Sequence, residues 1–320
     1  MMREQRDRIA WPKRLITSHR IKQLAKGLAW ATAVGAICIF IIGPCAMVWF
    51  MTRAGTRPMD RRLSDTPATY GASYEDISFQ ADDGLQLKGW YIPGRGRSAC
   101  VILCHGRFRS RREVLPQAME LWEEGYSALL FDFRQHGESQ SKWSTFGYEE
   151  RKDVKGAVRY MLAERRYTGS IAVLGVSMGA AAALLAAAET PEIEAVIADS
   201  AFRSFRNTVA HHIRSFLRLP AYTITEEILF LMRIMAGVDG TAFDLEMAVR
   251  RMNSRPILFI AGGADRRMPP TIAADLWRQS ASPRKALLIV PRAGHGHAYQ
   301  TNPHQYRSAI VDFLGMSLPH

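Results

Sequence analysis

Ser177, Asp265 and His295 are the three side chains here whose types and order could carry out nucleophilic chemistry. A serine hydroxyl is a weak nucleophile until a neighbouring base takes its proton, and a third group must hold that base in one orientation. Ser177 stands in Gly175-Val176-Ser177-Met178-Gly179, after the apolar Ile171-Ala172-Val173-Leu174 and before an Ala/Leu-rich run. This is a G-x-S-x-G pattern between a strand and a helix, where a sharp, strained turn lifts the hydroxyl above the sheet. Small residues at 175 and 179 permit the turn. The N–H of Met178, first in the helix, points where an oxyanion would form. Asp265 follows an apolar run ending at Ala261, and His295 follows one ending at Val290. In that order, just past two later strands, acid and base are expected to meet over Ser177. Asp199 is the alternative acid and His297 the alternative base. His105 and His136 each precede a glycine and are expected to shape loops. A second oxyanion N–H is expected from Cys104-His105-Gly106-Arg107-Phe108, with Arg107 favoured and Phe108 next.

Groups so far apart in sequence meet only if strands and helices alternate. Residues 74–79 and 85–92 alternate polar with apolar across Asp82-Asp83-Gly84, a hairpin signal. Continuous apolar runs at 99–104, 127–133, 171–176, 195–199, 256–262 and 286–290 predict strands buried on both faces. Helical patterns fall between them near 111–124, 148–165, 271–280 and 303–314, and in the Ala/Leu-rich run after Ser177. The expected class is α/β, a mostly parallel doubly wound sheet with its site at the carboxyl ends of the strands. Residues 202–250 break the rhythm with several short helical patterns and are expected to form a helical cap. His211 and His212 there have no metal-ligand spacing around them.

The net charge of +12 suggests nucleic acid until it is located. Residues 1–62 carry 12 Lys/Arg against 3 acids, so the remaining chain is nearly balanced and no nucleic-acid partner is expected. Cys38, Cys45, Cys100 and Cys104 lie in apolar runs without metal spacing, so no metal is expected. Residues 1–26 are basic, and Leu28 to Met51 hold no charge. Those residues make a helix of roughly 36 Å, long enough to cross a bilayer. Trp30 and Trp49 lie near its ends, and Gly43-Pro44 predicts a kink. The run exceeds a signal-peptide core and no cleavage motif follows, so 27–51 reads as one uncleaved transmembrane helix. Eight basic residues precede it and four follow (Arg53, Arg57, Arg61, Arg62), which favours an extracytoplasmic catalytic domain. A linker is expected over 52–72 and the catalytic domain over 73–316.

With these motifs the chain resembles the α/β-hydrolase superfamily, and within it the bacterial esterase and serine-aminopeptidase-like subgroup. Beside the serine motif, the resemblance rests on Leu103-Cys104-His105-Gly106, on Leu130 through Ser139, on Thr145-Phe146-Gly147-Tyr148 and Ala198-Asp199-Ser200, and on Gly263-Ala264-Asp265 and His295. It implies a cofactor-free serine hydrolase with Ser177, Asp265 and His295 as its triad. One departure is Arg134-Gln135-His136-Gly137, where the family carries Arg-Gly-His-Gly. The loop bearing Arg107, Arg109, Arg111 and Arg112 is expected to be a solvated rim, with attraction of an acidic substrate or lipid headgroup as the alternative. The expectation is a membrane-anchored serine hydrolase acting on a small or lipid-like carboxylic ester. Thioester and amide cleavage use the same steps. A non-catalytic, membrane-tethered scaffold is the reading from another class. The sequence does not specify an oligomeric state.

Overall fold

The computed structural model describes residues 18–56, 60, 64–141, 143–218 and 220–318. Arg57, Arg61, Arg62 and the basic residues before 18 lie outside them. The chain divides into two compact units, Met1–Ala46 and Met47–His320. The first is helical from Ser18, with a π turn over Cys38–Ile42 before the helix Gly43–Arg53. Pro44 has no N–H to donate and its ring crowds the carbonyl four residues back, and a wider turn just ahead of it relieves both. The helix Arg20–Arg53 is long and apolar enough to cross a membrane.

The second unit is built on one eight-stranded sheet. Its strands are β1 (Glu75–Gln80), β2 (Gln86–Ile92), β3 (Ala99–Cys104), β4 (Ser127–Asp132), β5 (Ser170–Val176), β6 (Ile193–Asp199), β7 (Ile257–Gly262) and β8 (Lys285–Val290). They lie in the order β1-β2-β4-β3-β5-β6-β7-β8. β2 runs antiparallel to β1 and β4, and the other pairs are parallel. This is the α/β-hydrolase fold. β3, β4, β5 and β7 are buried along their whole length, as their unbroken apolar runs require.

Register sets the site edge. Cys104 pairs with Gly175, Val176 with Asp199, Asp199 with Ile260 and Gly262 with Val290. The residues after those positions therefore emerge side by side at the carboxyl ends of the strands. The helix Met178–Glu189 is almost wholly buried, and its alanines let it lie close on β5 and β6. The helices Phe205–His212, Ala221–Ala236 and Leu245–Arg251 fill the interval between β6 and β7, with a bridge between Ser204 and Asp244 at its base. Phe202 and Phe205 pack on Phe243, while Phe216, Tyr222 and Phe230 face outward.

The interval expected as a linker differs from a free tether. Thr52 and Thr56 are buried, and both bond to the catalytic unit.

Candidate active site

Ser177 occupies the turn between β5 and its helix at φ 55° and ψ −110°, a conformation open to few side chains. The two glycines explain how the chain makes this turn. A Cβ on Gly175 would lie 2.3 Å from the backbone of Gly179, and one on Gly179 would lie 2.2 Å from the carbonyl of Cys104. Ser177 N–H donates to the Asp199 carbonyl (2.8 Å), which continues the ladder between β5 and β6 into the turn.

The structure brings the three distant side chains together. Ser177 Oγ lies 2.8 Å from His295 Nε2, and His295 Nδ1 lies 2.7 Å from Asp265 Oδ2. An ionised carboxylate only accepts, so Nδ1 carries the ring proton and Nε2 is left to accept from the serine. Asp265 Oδ1 accepts from Arg267 N–H (2.8 Å) and Met268 N–H (2.9 Å), which fixes the carboxylate plane. Burial works to raise the Asp265 carboxyl, but the bond from His295 and the two backbone N–H groups outweigh it and hold it below its ordinary value.

Neither alternative sits in this relay. His297 is exposed and begins the short helix Ala298–Thr301. Asp199 is buried and accepts from Ser200 Oγ (2.8 Å), and burial pushes its carboxyl up to about 6. Ser200 Oγ in turn accepts from Gly296 N–H (3.1 Å), so Asp199 braces the loop that carries His295. Sequence reasoning placed Asp199 near the site but missed this brace. A small polar residue directly after a strand end was the available signal.

The loop after β3 is held on several sides. Gly106 N–H donates to the half-buried Glu113 (2.5 Å), and Glu113 pairs with Arg109 (3.0 Å). Phe108 N–H donates to His136 Nε2 (3.2 Å), and His105 Nε2 accepts from Phe133 N–H (3.0 Å). Burial is the main cause that keeps both imidazoles below their usual range, so both stay neutral and shape loops. Phe108 N–H is thereby engaged, which leaves the amides of Arg107 and Met178 as the candidate oxyanion donors.

The four arginines of this loop do not form a solvated rim. Arg111 is buried against Asp132 (3.3 Å) and Glu138 (2.5 Å), and its guanidinium lies 4.3 Å from the centre of the Trp90 ring. Arg109 bonds Asp60 (2.6 Å), and Arg112 donates to the Asp65 carbonyl (3.2 Å). Arg107 packs over Phe108 and Phe146 and donates to His136 (2.9 Å) and to the Met51 carbonyl. Burial pushes its guanidinium down to about 10. Sequence reasoning could not see these acidic and carbonyl partners, because most of them lie 20 to 60 residues away.

Among the described residues no cluster of His, Cys, Asp and Glu is arranged to hold a metal ion. His211 Nε2 meets the Arg266 carbonyl (3.1 Å), and His212 Nδ1 meets the Thr208 carbonyl (2.8 Å).

Comparison with known proteins agrees with this fold. Residues 96–235 match the family model described as serine aminopeptidase, S33. That stretch includes Ser177 and stops short of Asp265 and His295. YqkD of Bacillus subtilis, described as an uncharacterized protein, is 27% identical over 293 residues, covering 89% of this chain and 94% of its own. YfhR of Escherichia coli K12, also uncharacterized, is 25% identical over 290 residues, covering 88% and 91%. Among solved structures, the Pyrococcus furiosus esterase Pf2001 superposes with a TM-score of 0.68 at 26% identity, covering 83% of this chain and 99% of that one. Est1E of Butyrivibrio proteoclasticus, solved with ferulic acid bound, gives 0.59 at 19% identity, covering 75% and 99%, a likeness of fold.

Proposed function

We propose that this chain, a serine hydrolase of the α/β fold, is a membrane-anchored carboxylesterase working through an acyl-enzyme on Ser177. The observation that carries the reading is the continuous relay Ser177 Oγ–His295 Nε2 and His295 Nδ1–Asp265 Oδ2, at 2.8 and 2.7 Å. The esterase Pf2001, similar over most of its length, supports ester over amide chemistry.

In this reading His295 Nε2 takes the hydroxyl proton as Ser177 Oγ attacks the acyl carbon. Asp265 keeps the imidazole in the accepting tautomer and stabilises the imidazolium that forms. The N–H groups of Met178 and Arg107 receive the oxyanion, whose charge is larger in the transition state than in the substrate. His295 returns the proton to the leaving alcohol. Water then repeats the attack on the acyl-enzyme, with His295 again the base. The apolar helix Arg20–Arg53 supports a single-pass anchor, and the basic residues before it support a catalytic domain on the extracytoplasmic side.

The test is fluorophosphonate labelling of the detergent-solubilised protein beside Ser177→Ala, with turnover of short- and long-chain nitrophenyl esters and aminoacyl nitroanilides read in parallel. The expected result is labelling and ester turnover that both vanish in the variant. Faster anilide turnover would replace the esterase reading with a peptidase. A folded wild type that neither labels nor turns over would leave the scaffold reading. Alkaline washing tests the anchor separately, because release without detergent excludes a spanning helix.

A further inference from the structure

The last two turns of the N-terminal helix, Met47 to Arg53, belong to the same compact unit as the sheet. The final carbonyls of an α-helix have no partner inside the helix. Here the end of Gly43–Arg53 is capped largely by the catalytic unit. Arg107 donates to the Met51 carbonyl, Ser144 N–H to Thr52 (2.9 Å), and Gln135 Nε2 to Arg53 (2.6 Å). The residues just beyond continue the contact. Buried Thr56 Oγ1 donates to the Arg109 carbonyl (2.8 Å) and accepts from Gly137 N–H (2.7 Å), so it ties the loop after β3 to the loop after β4. A Cβ on Gly55 would lie 2.4 Å from the Gln135 carbonyl, so the close approach requires glycine there. Phe50 also meets Phe108, ring centre to ring centre, at 6.3 Å.

These contacts converge on the two residues whose amides are assigned to the oxyanion. Arg107 is bonded to Met51 directly. Met178 is reached through Ser144, whose Oγ lies 3.7 Å from Met178 Sδ while its N–H holds Thr52. The departure at Gln135 fits the same arrangement. Gln135 sits at φ 63°, where glycine would be unstrained, and its amide caps the helix.

We infer that Met51–Thr56, the end of the helix and the three residues after it, is a positioning element of the active site: it holds the loop 106–109 so that the Arg107 N–H meets the oxyanion. Thr56 and Gln135 are then positioning residues. The inference rests on the proposed hydrolase reading. An oxyanion donor acts on charge that grows in the transition state, so its displacement lowers kcat more than it alters KM.

The experiment uses the full-length protein in detergent micelles, with Thr56→Val, Thr56→Ser and Gln135→Gly. Ester kcat and KM, melting temperature and backbone amide exchange of residues 105–110 are measured for each. Thr56→Val should lower kcat about tenfold or more with KM within about twofold, and should speed exchange in 105–110. Thr56→Ser should restore both, because it keeps the bridging oxygen. Gln135→Gly should lower kcat in the same direction without loss of melting temperature, since it also relieves a strained φ. Wild-type kcat and unchanged exchange in Thr56→Val would overturn the inference. If Thr56→Val unfolds, wild-type kcat in Gln135→Gly overturns it. If the wild type turns over no ester, the hydrolase reading fails separately, and amide exchange still decides whether 51–56 holds the loop.

Discussion

Replacing Asp265 with asparagine tests the relay with almost no change of shape. Asp265 Oδ1 accepts two backbone N–H groups at 2.8 and 2.9 Å, and Oδ2 accepts from His295 Nδ1 at 2.7 Å. An asparagine can keep the two backbone bonds only by placing its oxygen on them, which turns its NH2 group towards His295. The opposite flip would leave two N–H donors facing an NH2 group, at about 1–3 kcal/mol each. With NH2 facing it, Nδ1 must accept, so the ring proton moves to Nε2 and points at Ser177. The base is then in the wrong tautomer and cannot take the hydroxyl proton. For a relay of this kind the expected loss in kcat is about four orders of magnitude, or roughly 5 kcal/mol of transition-state stabilisation. Melting temperature should change little, because packing and backbone bonds survive. The assay is kcat for a nitrophenyl ester on the solubilised protein, with the fluorophosphonate labelling rate as a second reading. A folded Asp265→Asn protein with kcat within about tenfold of wild type would refute the reasoning and move the orienting role to Asp199.

Other predictions follow from the same geometry. Burial raises Asp199 to about 6 against roughly 3.9 in an unfolded chain, so the folded state binds its proton more tightly and the stability it contributes is lost as pH climbs from about 4 to 6. Asp199→Asn should flatten the melting-temperature profile across that window, and an unchanged slope would count against it. Arg134→Met leaves Asp153 buried without the guanidinium now 2.6 Å away, and denaturant unfolding should show a loss of about 3–5 kcal/mol. Gly179→Ala forces a Cβ to within 2.2 Å of the Cys104 carbonyl, a clash that no rotamer relieves. Its yield of folded protein should collapse, and a variant melting like wild type would disprove the close packing.

The placement of the candidate site and the architecture were legible in the sequence because both rest on local pattern. Gly175, Ser177 and Gly179 encode a turn that few other residues could make, and the unbroken apolar runs of β3, β4, β5 and β7 encode strands buried on both faces. The order serine, acid, histidine past successive strand ends was enough to choose Asp265 and His295, since parallel register carries strand ends to one edge. What tertiary structure alone decided was partnership across the chain. Four arginines in one loop read as a charged surface until Asp60, Asp132 and Glu138 arrive from elsewhere to pair with Arg109 and Arg111, and the carbonyls of Met51 and Asp65 take Arg107 and Arg112. Asp199 stood as the alternative to Asp265 until distance separated the carboxylate that bonds the imidazole from the one that braces its loop. Residues 52–56 read as the start of a linker because Thr, Arg, Ala and Gly carry no pattern of their own. Their role follows from where Thr56 Oγ1 and the carbonyls of Met51 and Arg53 find partners, and hydrogen bonds to groups 50 to 80 residues away leave no periodicity in a sequence.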